Sequence, residues 1–295
     1  MNKVLILIIP VLLIAGCGSD KDYFAEGTFE ATEITISSEE SGKIISLDIN
    51  EGDFIKADKT VGIIDTVQFH LKKLQLEHQL TATIKSRPDV EAQLSSLNTR
   101  LDNLKKEKKR IEYLLKDGAA TTKQLDDINA SIDLTKSNIS TLKSTLDNTI
   151  SSIDANSESI KTGIEQVEDC IKKCHIKSPI TGTILTKYAL QGELAIMGRP
   201  LFKIADLDNM FLRAYFTSSQ LANIKIGQKV KVIADFGGEN HYEYPGTISW
   251  ISEECEFTPK SIQTKDSRSN LVYAVKIKVK NDGRIKIGFS GKVVL

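Results

Sequence analysis

Between about Gln68 and Glu168, apolar side chains recur at alternating steps of three and four residues, and few architectures tolerate such a repeat over that length. Val90, Leu94, Leu97, Leu101, Leu104, Ile111 and Leu115 carry the outbound series, with Lys108 in its one polar place. Leu125, Ile128, Ile132, Ile139, Leu142, Leu146, Ile153, Ile160 and Val167 carry the return series, whose other places fall to Thr135, Thr149, Asn156 and Gly163. A mean spacing of three and a half residues keeps one apolar stripe against a partner helix for many turns. Between the series lies Lys116-Asp117-Gly118-Ala119-Ala120-Thr121. Gly118 can end a helix in the left-handed conformation, and Thr121 with Gln124 makes a capping-box pair that starts the next. The pattern predicts an antiparallel coiled-coil hairpin over 68–171, with arms of roughly 70 Å if continuous, at 1.5 Å per residue. Ser86-Arg87-Pro88-Asp89 interrupts the outbound arm, so a break near Ser86 and a restart at Pro88 are expected. Asn156 and Gly163 should loosen the return arm at a similar level. Such a hairpin is a spacer.

The chain has 295 residues, zero formal net charge and 6% aromatic residues, which suits two or three modest domains better than one large core. Balanced charge excludes the basic face of a nucleic-acid binder. Val4 to Gly16 is an apolar run behind Lys3, too short to span a bilayer comfortably and shaped like the h-region of a secretory signal. It ends Ile14-Ala15-Gly16-Cys17. A cysteine directly after Ala-Gly resembles the lipobox of bacterial lipoproteins, which implies that residues 1–16 are removed and Cys17 is lipidated. Several acyl chains there would hold the protein at a membrane without a spanning helix, at about 0.8 kcal/mol per buried CH₂.

Cys170, Cys174 and His175 offer three candidate ligands, but one Cys-x3-Cys-His lacks the second half of a four-ligand site. They read as buried or free thiols, Cys170 on the last helical turn and Cys174 in the following strand. His70, His78, His175 and His241 are scattered, with no carboxylate at a zinc-motif spacing. No catalytic constellation, metal site, cofactor site or phosphate-binding glycine loop is legible, and the chain reads as a non-enzyme.

On either side of the hairpin two short stretches match. Phe29 to Ile36 alternates as a strand, then Gly42-Lys43-Ile44 through Gly52-Asp53 to Val61-Gly62-Ile63-Ile64-Asp65 reads strand, turn, strand, turn, strand. Gly182-Thr183-Ile184, Gly192-Glu193 and Pro200 to Leu207 repeat the order. Gly42, Gly52, Gly182 and Gly192 mark the structural turns. The two stretches resemble the halves of a biotinyl/lipoyl-type domain, and their separation by a coiled coil resembles the periplasmic adaptor family, the HlyD-type membrane fusion proteins. A lipoyl carrier modifies a lysine at the turn after its first half; here Asp65-Thr66-Val67-Gln68 stands there, so Gln68 replaces that lysine. The resemblance therefore implies a platform for the hairpin and not a swinging-arm carrier.

From Met210 the chain reads as short strands separated by Gly237-Gly238, Asn281-Asp282-Gly283 and Gly288, with one capped turn of helix at Ser218 to Ile224. The expectation is a small closed antiparallel β-barrel. Phe257 to Thr264, with Arg268 and Leu271 to Val275, resembles a stretch of adaptors that serve ABC-type exporters. The predicted architecture is thus mixed α and β and elongated. It comprises a linker over 17–28, a lipoyl-like β-sandwich from 29–67 plus 172–207, the hairpin over 68–171, and a barrel over 208–295.

Arg110 and Leu114 share one stripe of the outbound helix, off the seam that Ile111 and Leu115 occupy. In the adaptor family the tip that meets the outer-membrane channel carries Arg-x3-Leu-x6-Ser. Arg110, Leu114 and Thr121 stand at that spacing, with threonine in place of serine. Thr121 has a second reason to be there, since it caps the return helix with or without a partner. The resemblance implies a short adaptor of a tripartite exporter in the periplasm of a Gram-negative-type bacterium. Lipid on Cys17 would tether it to the inner membrane, an ABC-type inner-membrane transporter and an outer-membrane channel would be its partners, and a homo-oligomeric ring (a hexamer by family) would be its working form. A passive coiled-coil lipoprotein spacer and a lipoyl or biotin carrier component are the rival readings.

Overall fold

The computed structural model describes residues 25–237, 241–257 and 271–295. The signal segment, Cys17 and most of the adaptor-like stretch, from Thr258 to Arg268, lie outside the described residues.

Three helices make the hairpin: α1 (Val67–Lys85), α2 (Val90–Lys116) and α3 (Thr122–Lys173). The return helix α3 runs unbroken for 52 residues, about 78 Å at 1.5 Å per residue. Its distal half faces α2 and its proximal half faces α1, where Lys73 Nζ lies 2.7 Å from Glu168. The hydrogen bond from Lys73 holds the Glu168 carboxyl below its ordinary range. This pair therefore contributes above that range and fades as pH falls through the lowered value.

The outbound arm breaks as expected at Ser86, whose N–H reaches Ala82 O at 3.1 Å and whose hydroxyl donates to Thr83 O. The restart differs by two residues. Pro88 stands outside the new helix, and the Asp89 carboxylate caps α2 by accepting from Ala92 N at 3.0 Å. Proline disfavours the helical conformation in the residue before it, so Arg87 cannot continue the old helix, while Asp89 supplies the acceptor that starts the next. Arg87 spans the gap to Asp154 at 2.8 Å.

The seam of α3 also departs from a strict heptad. From Leu125 to Leu146 the expected places are buried or half-buried, but Thr149 and Asn156 are exposed. Ile150, Ile153, Ser157, Ile160 and Ile164 carry the seam onward. Leu142, Leu146 and Ile150 make two successive steps of four, which offsets the rotational drift of about 20° per heptad in a straight helix. Ser157 is buried with its hydroxyl unpartnered, beside a cavity of about 400 Å³ that Ile84, Arg87 and Asp154 also line. Gly163 sits on the seam facing Leu76.

The sandwich is built from both flanks. β1 (Ala25–Ser37), β2 (Gly42–Leu47), β3 (Phe54–Ile55) and β4 (Thr60–Ile64) precede the hairpin. β5 (His175–Lys177), β6 (Gly182–Lys187), β7 (Leu194–Ala195) and β8 (Pro200–Thr217) follow it. The halves interleave: β5 pairs β4, β7 pairs β2 and β6 pairs β3, all antiparallel. Their correspondence is a constant shift of 140 residues, carrying Gly42 to Gly182, Gly52 to Gly192, and Asp58 to Gly198. Hydrogen bonds cross between halves in matched pairs. Gly52 N donates to Ile184 O and Gly192 N to Ile44 O, each at 2.9 Å; Asp58 N donates to Ser178 O and Gly198 N to Ser38 O, each at 2.8 Å. Gly52 and Gly192 take φ of 92° and 91°, a conformation that a side chain would strain. Gly42 and Gly182 are close-approach positions, since a Cβ on Gly182 would lie 2.3 Å from Ala205 O. Ile44, Ile64, Ile184, Leu201, Phe202 and Ile204 fill the core.

β9 (Lys229–Asp235), β10 (His241–Phe257), β11 (Leu271–Lys280) and β12 (Ser290–Val294) join β1 and β8 in a barrel. The order β1-β12-β9-β10-β11-β8 closes through β1–β8 pairing. The short helix α4 (Ser218–Leu221) follows β8. Two boundaries differ from the sequence reading. Residues 25–28, assigned to a linker, pair with β12, and Phe29 lies in the barrel core with Leu212 and Phe216. Likewise β8 is one strand of 18 residues and does not restart at Met210. Both strands pass from barrel to sandwich at a bulge, where Ala31 faces Met210 but Thr32 faces Asp206. The Asp206 carboxylate orders that bulge by accepting from Asp208 N and from Asn209 N and Nδ2.

Cys174 caps the C-terminus of α3 and is fully buried, so it sits one residue before the strand in which it was expected. Burial pushes its thiol up to about 11. Alkylation of the native protein at pH 8 should therefore modify exposed Cys255 and spare Cys174 until unfolding, as peptide mass mapping would read. Two glycine substitutions should act with opposite sign in urea unfolding. Gly182→Ala should cost about 1–3 kcal/mol by overpacking against Ala205, whereas Gly163→Ala, with Leu76 at an ordinary 3.6 Å, should gain about 0.8–1 kcal/mol of helix propensity.

Candidate functional site at the hairpin tip

The tip is a tight reversal built from its own backbone. Ala119 N returns to Leu114 O at 2.7 Å and Gly118 N to Leu115 O at 3.2 Å, with Gly118 at φ 69°. Thr121 then opens α3: Gln124 N donates to its hydroxyl at 3.3 Å, while Thr121 N and Oγ1 donate to Gln124 Oε1 at 2.8 and 3.2 Å. Its hydroxyl is therefore engaged within the chain.

Arg110 is exposed one turn back, with Nη2 held 2.9 Å from Glu107 Oε1. That contact uses one of five guanidinium donors and leaves a planar face open to a partner. Leu114 is 39% exposed, as its place off the seam requires. The structure adds Tyr113, 70% exposed, with Lys116 Nζ 5.7 Å from its ring centroid. At 100° per residue Arg110 lies between Tyr113 and Leu114 on the surface of α2. An aromatic ring, a guanidinium and a leucine thus form one stripe pointing away from α3, and tyrosine and arginine are residue types that suit the centre of a protein–protein contact. Tyr113 lies outside the Arg-x3-Leu spacing and so carries no family signal. Its position nearly opposite the Ile111–Leu115 seam was the available signal.

The sandwich and the hairpin inserted in it carry a further observation. Residues 32–207 match the family model of the RND membrane fusion protein barrel-sandwich hybrid domain. The chain belongs to the membrane fusion proteins. A UPF0194 membrane protein of Yersinia enterocolitica is 24% identical over 305 residues, covering 94% of this chain and 92% of its own. One from Acidithiobacillus ferridurans is 21% identical over 320 residues, covering 97% and 94%. Among solved structures, MacA from Actinobacillus actinomycetemcomitans superposes with a TM-score of 0.56 at 20% identity, over 92% of this chain and 78% of MacA. The membrane fusion protein Spr0693 from Streptococcus pneumoniae R6 gives 0.51 at 14% identity, over 91% and 96%. At these identities the likeness is one of fold. Membrane fusion proteins are a non-catalytic class of adaptor. Among the described residues no helix is long and apolar enough to cross a membrane.

The carrier chemistry of lipoyl domains has no foothold at the corresponding turn. Gln68 is exposed in the first turn of α1, which begins where Val67 N donates to the Asp65 carboxylate at 2.9 Å.

Thr121→Ala should lower stability by about 1 kcal/mol through loss of the cap, and Thr121→Ser should restore it. Thermal unfolding followed by circular dichroism at 222 nm checks both.

Proposed function

We propose that this membrane fusion protein is the periplasmic adaptor of a tripartite exporter, joining an ABC-type inner-membrane transporter to an outer-membrane channel. Lipid on Cys17 tethers its base to the inner membrane. Copies stand side by side in a ring, six by family resemblance, and the tip stripe of Arg110 and Leu114, with Thr121 behind it, docks on the channel. What supports the reading is the layout of the chain along one axis. β1 enters the barrel at Ala25, at the end of β8 remote from the sandwich, whereas the hairpin leaves the sandwich in the other direction. The anchor and the tip thus belong to opposite ends, as a bridge between two membranes needs, and α3 supplies a stiff reach of about 78 Å.

The decisive test is the double variant Arg110→Asp, Leu114→Ser. It should keep wild-type helicity and oligomeric state and lose export in a complemented deletion strain, together with cross-linking to the channel. Retained export would remove these residues from the mechanism, and an unimpaired deletion strain would favour the passive spacer. Intact mass of the purified protein should show acyl chains on Cys17 and no prosthetic group on any lysine.

A further inference from the structure

The far end of the barrel, opposite the sandwich, has a feature that export through the tip does not use. Phe257 and Leu271 face one another as the last described pair of the β10–β11 ladder. Their ribbon outruns its neighbour, since β8 pairs with β11 only from Thr217 opposite Val272. Inside the barrel Val275, Ile277 and Val279 continue the alternation of Leu271 into the packed core. Leu271 itself is 50% exposed and Phe257 83% exposed, so the inward-facing stripe runs on past the point where a core exists to receive it.

The same end receives the N-terminal chain. Glu26 pairs with Tyr215, two residues from Thr217, so β1 and β11 flank β8 there at about 10 Å from one another, two strand spacings. Eight Cα-to-Cα steps separate Cys17 from Ala25, a reach of at most about 29 Å when fully extended. A lipid on Cys17 therefore keeps this end of the barrel near the bilayer surface, and the two apolar side chains project from it. Glu253 and Glu254 stand exposed behind them on β10, and Lys260, Lys265 and Arg268 belong to the stretch of sequence that joins Phe257 to Leu271.

We propose that Phe257 and Leu271 rest in the headgroup layer beside the anchor, as a second, apolar foothold that fixes the tilt of the barrel on the lipid surface. This rests on the lipid-anchor reading of Cys17. A single tether leaves orientation free; two contacts about 10 Å or more apart define it.

Cys255 supplies the reporter, being exposed and on the same side of β10 as Phe257. The full lipidated chain carrying Cys170→Ser is labelled at Cys255 with an environment-sensitive fluorophore. It is then bound to phosphatidylcholine vesicles containing headgroup-level spin-labelled lipid. Quenching should exceed severalfold that of the same fluorophore at a tip cysteine (Thr122→Cys in a Cys255→Ser background). It should fall to the tip level in Phe257→Ser, Leu271→Ser while the protein still floats with the vesicles. Flotation with an unquenched Cys255 would overturn the foothold and leave the anchor standing. Quenching that appears only when the transporter is co-reconstituted would assign the pair to a protein contact instead. A Cys17 free of acyl mass, with no flotation, would remove the anchor reading and the foothold with it.

Discussion

Everything in this molecule hangs on backbone hydrogen bonds exchanged between segments 140 residues apart. Ile44 N reaches Glu193 O and Ile184 N reaches Asp53 O, at 2.8 and 2.9 Å, so neither half of the sandwich has a complete ladder or a closed core alone. Closing so long a loop is less costly than its length suggests, because loop entropy rises by only about 0.6 kcal/mol per doubling. The hairpin lowers the cost further. Its contacts are local in sequence and antiparallel, so once formed it delivers Thr66 and Cys174 to the same place, where Ile64 N donates to Cys174 O at 2.9 Å. The rod gathers the ends of the platform, and the platform holds the rod.

A second coupling joins platform to barrel. Most two-domain chains cross a linker once; here β1 and β8 both cross, paired to one another on either side of the Asp206 bulge. Met210 and Phe29 belong to one core, Ile204 and Ile36 to the other, within the same two strands. A two-stranded antiparallel crossing resists rotation better than a flexible peptide, so the direction of the barrel follows that of the sandwich. At the bulge Asn281 Nδ2 adds a further tie by donating to Leu207 O at 2.8 Å.

Much of this was legible in the sequence because the signals are periodic. The seven-residue repeat, the Thr121–Gln124 capping pair and the repeated glycines at 42 and 52, then 182 and 192, each correspond to a feature of the structure. The misreadings share a physical cause. A fixed repeat placed Thr149 and Asn156 on the seam, but a helix that changes partners from α2 to α1 need not keep one phase. Alternation from Phe29 to Ile36 identified a strand, yet a period of two says nothing about which of two sheets receives it. At the tip, a family spacing names Arg110 and Leu114, whereas only the angular position of Tyr113 on α2, nearly opposite the seam, marks it.

The outbound arm is severed at Ser86–Asp89 while the return arm is whole, and this asymmetry governs how the rod can deform. Tension or thrust applied at the tip passes down α3 alone into β5 and the shared sheet. Flexure is another matter. Closing the gap breaks no hydrogen bond of the outbound helices, lengthens those on the outer side of α3 only slightly, and disturbs little else beyond the Arg87–Asp154 bridge and the void beside Ser157. The rod is therefore inextensible along its length yet hinged at one level and in one sense, like a spring-backed joint whose leaf is a single helix.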